Sequence, residues 1–148
     1  MNCNVILVLD REQRNILMCK RKKPPYQGHY NLVGGKIEPG EDGYHAAYRE
    51  LWEETAIDRD TIQLFHMMTL SYPKEGTVLE VYAGTLLQDV DIHGEENPLR
   101  WISVDENFMD TTRFAGRGNI AHMLAYYWEA AADETGRHIR QAEQHLKQ

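Results

Sequence analysis

Gly35-Lys-Ile-Glu-Pro-Gly-Glu41 leads through a short spacer to Arg49-Glu50-Leu51-Trp52-Glu53-Glu54-Thr55-Ala56-Ile57. Within this stretch Glu50, Glu53 and Glu54 stand at i, i+3 and i+4. On a helix those positions share one face. Like charges stacked that way repel, by about 0.2–0.5 kcal/mol per pair. A positive partner is therefore expected among them, and the simplest is a hard divalent cation, which takes oxygen ligands. Glu38-Pro39-Gly40 is turn chemistry, so the helix is expected to start near Glu41 or Asp42 and to run to about Thr55. Asp42 is placed to cap it. Ala47 and Leu51 give it a core-facing stripe, flanked by Tyr44, Tyr48 and Trp52.

On the N-terminal side, Asn4 to Leu9 and Ile16 to Cys19 read as two strands of a hairpin around a polar turn at Asp10 to Arg14. Lys20 to Lys23 is a basic run, and Pro24-Pro25 stops regular structure. Tyr30 to Val33 returns as a short strand that delivers the chain to Gly34-Gly35. On the C-terminal side, Ile62 to Leu70, Thr77 to Leu87 and Arg100 to Val104 read as strands, with a turn at Pro73 to Gly76 and an acidic loop from Gln88 to Pro98. Ile120, Met123, Leu124, Tyr127 and Trp128 are apolar at helical spacing, which predicts a helix from about Asn119 to Ala132. Residues from about 134 to 148 are polar and read as a terminal helix or tail. Strands around two helices make an α/β sandwich, expected as a single domain over residues 1–148.

The chain has 148 residues, 42% of them hydrophobic, enough for a packed core. Its formal charge is −7, from 16 basic and 23 acidic residues. That balance argues against a nucleic-acid polymer as partner, since such binding rests on neutralising phosphates. It leaves a small phosphate-bearing substrate open, because a metal reverses the local charge. Cys3 and Cys19 lie on apolar runs and read as buried free thiols. The run from Val5 to Leu9 is too short for a signal peptide, and no run reaches membrane-spanning length, so a cytoplasmic protein without a membrane partner is expected.

The quoted stretch also carries a family pattern: Gly, five residues, Glu, seven residues, then Arg-Glu-aliphatic-any-Glu-Glu-any-Gly-aliphatic. Gly35, Glu41, Arg49, Glu50, Leu51, Glu53, Glu54 and Ile57 match it, and Ala56 stands in place of the second glycine. The chain thus resembles the MutT/Nudix hydrolases. The resemblance implies the Nudix fold, a mixed sheet sandwiched between helices, with this box as loop-helix-loop. It implies a pyrophosphohydrolase using Mg²⁺ or Mn²⁺ on a nucleoside diphosphate-linked substrate. The expected substrate is a purine or oxidised purine (deoxy)nucleoside triphosphate, of the 8-oxo-dGTP type. The alternatives are ADP-ribose, a nucleotide sugar or a dinucleotide. A nucleotide-sensing module without catalysis is a further alternative, and whether two chains pair as a homodimer stays open.

By the same resemblance, Glu50, Glu53 and Glu54 are metal ligands, with the carbonyl of Gly35 beside them. Glu50 and Glu53 are both candidates for the general base, and Arg49 orients Glu53 from four residues earlier. Glu41 is placed to pair with Arg49. Glu95 matches the MutT spacing before Trp101 for a further ligand, with neighbouring Glu96 and an ordinary solvated loop as the alternatives; Glu80 is a weaker candidate. Arg21 and Lys36 are expected to reach phosphates. Asn31 and Asn119 are candidates for reading a base, because an amide offers donor and acceptor together. The plainer readings are a turn hydrogen bond for Asn31 and a helix N-cap for Asn119. Phe108, Phe114, Tyr30 and Tyr82 are candidates to stack on a base, with core packing as the default. If the helix ends in a left-handed residue, Ala56 costs about 1–2 kcal/mol there.

Overall fold

A computed structural model describes residues 1–94 and 96–132. Its sheet is built from β1 (Asn2–Leu9), β2 (Asn15–Lys20), β3 (Tyr30–Lys36), β4 (Phe65–Tyr72), β5 (Thr77–Thr85) and β6 (Leu99–Ser103). The helices are α1 (Gly43–Thr55) and α2 (Asn119–Ala132). Strand order is β4-β5-β1-β3-β2-β6. β1 runs parallel to β5 and the other pairings are antiparallel, so the sheet is mixed.

The alternation of β1 sets up both layers. Ile6 and Val8 pack with Ala47, Tyr48 and Leu51 of α1. Leu7 and Leu9 point the other way, toward Ile120, Met123, Leu124 and Tyr127 of α2. A strand covered on both faces reads as a continuous apolar run, and Ile6 through Leu9 are fully buried. β2 divides likewise, with Leu17 and Cys19 toward α1 and Ile16 and Met18 toward α2.

Several expectations change. β1 and β2 meet only at Leu9 and Ile16. Beyond that pair they diverge, and β3 inserts between them, bonding to Cys3–Ile6 on one side and Met18–Lys20 on the other. β3 also runs on to Lys36, so Gly34 and Gly35 lie within the strand. β4 starts at Phe65, not at Ile62, because Asp58 caps a 3₁₀ turn over Arg59–Thr61. Ile62 keeps a single bridge to Leu86. On α1, Tyr48 joins the core and receives the Leu64 N–H at 2.8 Å, whereas Trp52 is exposed. Of the two free cysteines only Cys19 is buried; Cys3 is partly exposed. Among the described residues no helix is long and apolar enough to cross a membrane. The polar stretch of residues 134–148 lies outside the described residues.

Asp42 is the N-cap of α1 and accepts the His45 N–H at 2.9 Å. The helix ends at Ala56, which is left-handed (φ 62°, ψ 19°) with its N–H bonded to the Trp52 carbonyl. Alanine is strained there and glycine is not, but glycine costs more backbone entropy. Ala56→Gly is therefore expected to stabilise the chain by about 0.5–1 kcal/mol, read as a higher denaturation midpoint with an unchanged slope.

Candidate active site

Two glycines let α1 lie close against the end of β3. A Cβ at Gly34 would stand 2.2 Å from the Asn4 carbonyl oxygen, and one at Gly35 would stand 2.5 Å from the Glu50 carboxylate. At Gly34 the obstacle is backbone and only glycine fits; at Gly35 a side chain would displace the Glu50 carboxylate. The Gly35 N–H donates to Asn4 Oδ1 at 3.1 Å, and the Gly34 N–H points to Glu54 Oε2 at 3.5 Å.

Arg49 ties the loop to the helix. Its Nε and Nη2 donate to the two oxygens of Glu41 at 2.7 and 2.9 Å, a forked pair that suits a guanidinium. Nη1 donates to Glu50 Oε1 at 3.0 Å and to Glu53 Oε2 at 3.1 Å, and Nη2 also donates to the Lys36 carbonyl at 3.0 Å. The Arg49 bonds hold the Glu41 carboxyl down to about 2, helped by the Glu38 N–H. The same bonds push the Arg49 guanidinium up.

Glu50, Glu53 and Glu54 line one cavity of about 330 Å³ with Cys19, Glu96, Asn97 and Leu99. Burial raises the Glu50 carboxyl, and the bonds from Arg49 oppose the rise. Burial also pushes Glu54 up to about 7; the Gly34 N–H opposes this, and the charges of Glu50, Glu96 and Glu53 add to it. A carboxyl that holds its proton more tightly when folded than its ordinary 4.5 stabilises the fold fully below about 4.5, and that contribution is lost as pH rises through about 7. Melting in EDTA between about pH 5 and pH 8 is expected to fall with rising pH, with a shallower fall in Glu54→Gln.

These donors suit a hard cation: they are carboxylates around one cavity, two of them raised by burial, beside glycine backbone that lets Glu50 approach. Among the described residues no three His, Cys, Asp or Glu side chains are already gathered tightly enough to hold an ion. Arg49 takes one oxygen each of Glu50 and Glu53, so a cation must draw on their other oxygens or reorient them.

The remaining candidates divide. Glu95 lies outside the described residues, while Glu96 is exposed on the cavity wall. Glu80 does not line the cavity and accepts the Tyr82 hydroxyl at 2.7 Å. Arg21 follows β2, and its Nε donates to the Pro25 carbonyl at 2.7 Å. Lys36 is exposed and lines a shallow hollow with residues 37–41. Asn31 and Asn119, far apart in sequence, line one groove of about 570 Å³ walled by Val5, Leu32, Leu79, Ile120 and Met123. Asn31 Oδ1 accepts the Leu32 N–H at 2.8 Å. Asn119 is the first residue of α2, not its N-cap, and its Nδ2 donates to the Tyr72 hydroxyl at 2.7 Å. Asn31 pairs across the sheet with Cys19, a wall of the acidic cavity, so the two cavities approach one another at this pair. Phe108, Phe114 and Tyr82 are core residues. Tyr30 is half-buried, with the Arg100 guanidinium 5.8 Å from its ring. Sequence reading passes over Asn4 and Tyr72; the only signal for Asn4 is a polar residue opening an apolar strand.

With this geometry in place, the comparisons with known proteins are decisive about family. Residues 2–127 match the model of the NUDIX domain, and the chain belongs to that family. It is 29% identical over 110 residues to the NAD-capped RNA hydrolase NudC of Haemophilus influenzae, covering 70% of this chain and 40% of that protein. The chain therefore spans less than half the length of that relative. It is 42% identical over 53 residues to a putative 8-oxo-dGTP diphosphatase of Bacillus subtilis, covering 36% of this chain and 33% of that protein. Among solved structures, an Ap4A hydrolase of C. elegans superposes with a TM-score of 0.68 at 20% identity, covering 88% of this chain and 98% of the other. That last likeness concerns the fold alone.

Proposed function

We propose that this chain hydrolyses a phosphoanhydride bond of a nucleotide with the help of a divalent cation. Water adds to one phosphorus, the bridging P–O bond breaks, and the leaving phosphate departs as an anion. The observation that carries the reading is the one cavity walled by Glu50, Glu53 and Glu54 and braced by Arg49. Those three carboxylates and the Gly35 carbonyl are assigned to Mg²⁺ or Mn²⁺, with Glu95 as a further candidate. When bound, such a cation neutralises phosphate charge and lowers the pKa of water. Glu53 or Glu50 accepts the proton of the attacking water; coupled carboxylates share that titration. Arg49 holds both in orientation. Arg21 and Lys36 are the cations assigned to the phosphates.

For the substrate we favour a purine or oxidised purine nucleoside triphosphate, released as the monophosphate and pyrophosphate. The groove with apolar walls and two amides, Asn31 and Asn119, supports a base there. So does the likeness to the Bacillus subtilis protein. A second reading is a dinucleotide or ADP-ribose, and the likeness to NudC, an NAD-capped RNA hydrolase, supports the dinucleotide. The intact set of box carboxylates counts against a module that only senses nucleotides. A panel of 8-oxo-dGTP, dGTP, ADP-ribose and NAD with Mg²⁺ separates these readings by product. Pyrophosphate release with preference for 8-oxo-dGTP supports the first, and cleavage of NAD to two mononucleotides overturns it. On a preferred purine substrate, Asn119→Ala is expected to raise KM about 10-fold with a smaller change in kcat.

A further inference from the structure

Gly34 and Gly35 lie beside two carboxylates of the acidic cavity: a side chain at Gly35 would meet the Glu50 carboxylate, and the Gly34 N–H points to Glu54 Oε2 at 3.5 Å. Two successive glycines are the loosest backbone a chain can place there. A site that needs a fixed carbonyl and a fixed approach for Glu50 must hold that backbone from outside. Asn4 is the residue in position to do so. It lies on β1 directly opposite Gly35 and is 1% exposed. Its backbone carbonyl would collide with any side chain at Gly34, and its Oδ1 accepts the Gly35 N–H at 3.1 Å. Gly35 in turn is the surface on which the Glu50 carboxylate rests.

Asn4 is costly for the fold. Its Nδ2 is buried without a hydrogen-bond partner among the described residues, and a buried unmet donor destabilises. An apolar residue would fill the same place in β1 without that cost. We infer that Asn4 is a positioning residue for the cation site, keeping Gly34-Gly35 in the conformation against which Glu50 and its neighbours converge. This inference rests on the reading of Glu50, Glu53 and Glu54 as cation ligands.

The test is Mn²⁺ binding by the whole chain, followed by the paramagnetic resonance of free Mn²⁺ without nucleotide, in wild type, Asn4→Leu and Asn4→Ser, with melting curves alongside. Leucine keeps the branched shape, though it is larger, and removes both the bond to Gly35 and the unmet donor, two effects that oppose each other in stability. Serine is small and too short to reach Gly35, and it stands in should the leucine variant fail to fold. Positioning predicts that Mn²⁺ affinity weakens about 10-fold in each folded variant, out of proportion to any change in melting temperature. A merely structural role predicts a lower melting temperature with Mn²⁺ affinity unchanged, and that result would overturn the proposal while leaving the cation site standing. A wild type that binds no Mn²⁺ would overturn both.

Discussion

Glu53→Gln is expected to lower cation-dependent turnover by about 100- to 10,000-fold, the range for loss of a general base. The change is isosteric, and Glu53 stands at the exposed edge of the cavity with 55% of its side chain accessible. Its one described hydrogen bond is from Arg49 Nη1 at 3.1 Å, and a glutamine oxygen can still accept it. The fold therefore has little reason to change, and the melting curve should match wild type. The loss should appear in kcat at saturating Mg²⁺. Turnover that survives in Glu53→Gln would remove Glu53 from the mechanism and leave Glu50, the more buried of the pair, as the base.

Arg49→Ala should be nearly as damaging, for a different reason. One guanidinium bonds Glu41, Glu50, Glu53 and the Lys36 carbonyl at once. Removing it frees Glu41 and the carbonyl of the loop and leaves the acid face without its internal counter-charge. Misplacing catalytic groups by about 1 Å costs on the order of 100-fold, and a loss of that size in kcat/KM is expected. The melting temperature should fall in EDTA and recover in part with Mg²⁺, because a cation supplies charge that the arginine had supplied. Arg49→Lys should rescue little, since an ammonium cannot span four partners with the planar fork of a guanidinium. Rescue by lysine to within a few-fold of wild type would mean that charge alone matters at this position.

The parts of this arrangement that are local in sequence were legible there. The i, i+3, i+4 spacing of Glu50, Glu53 and Glu54 needs only helical geometry, and Asp42 marks the start of that helix. The apolar run of β1 foretold a strand, and the apolar spacing after Asn119 foretold α2. What stayed hidden depends on pairing across distance. Nothing local says that β3 should part β1 from β2, because the choice lies between strand partners far apart in the chain. That insertion is what sets Asn4 against Gly35 and Asn31 beside Cys19. Burial is equally invisible: Glu53 and Glu54 are neighbours on one helix, yet Glu53 is exposed and Glu54 turns toward Gly34 with a carboxyl lifted to about 7. Asn119 shows the same limit from the other side. Its place after Gly118 suggested an N-cap, but the Tyr72 hydroxyl on β4, brought alongside by the fold, takes its amide instead.

The central claim is that the acid face of α1 works on a nucleotide phosphoanhydride through a divalent cation. Its most direct test is hydrolysis of a purine nucleoside triphosphate by the purified chain, in Mg²⁺ or Mn²⁺ and again in excess EDTA, resolving monophosphate, pyrophosphate and phosphate. The account predicts paired release of monophosphate and pyrophosphate that stops in EDTA and is lost in Glu53→Gln. Equal hydrolysis with and without the cation would contradict it.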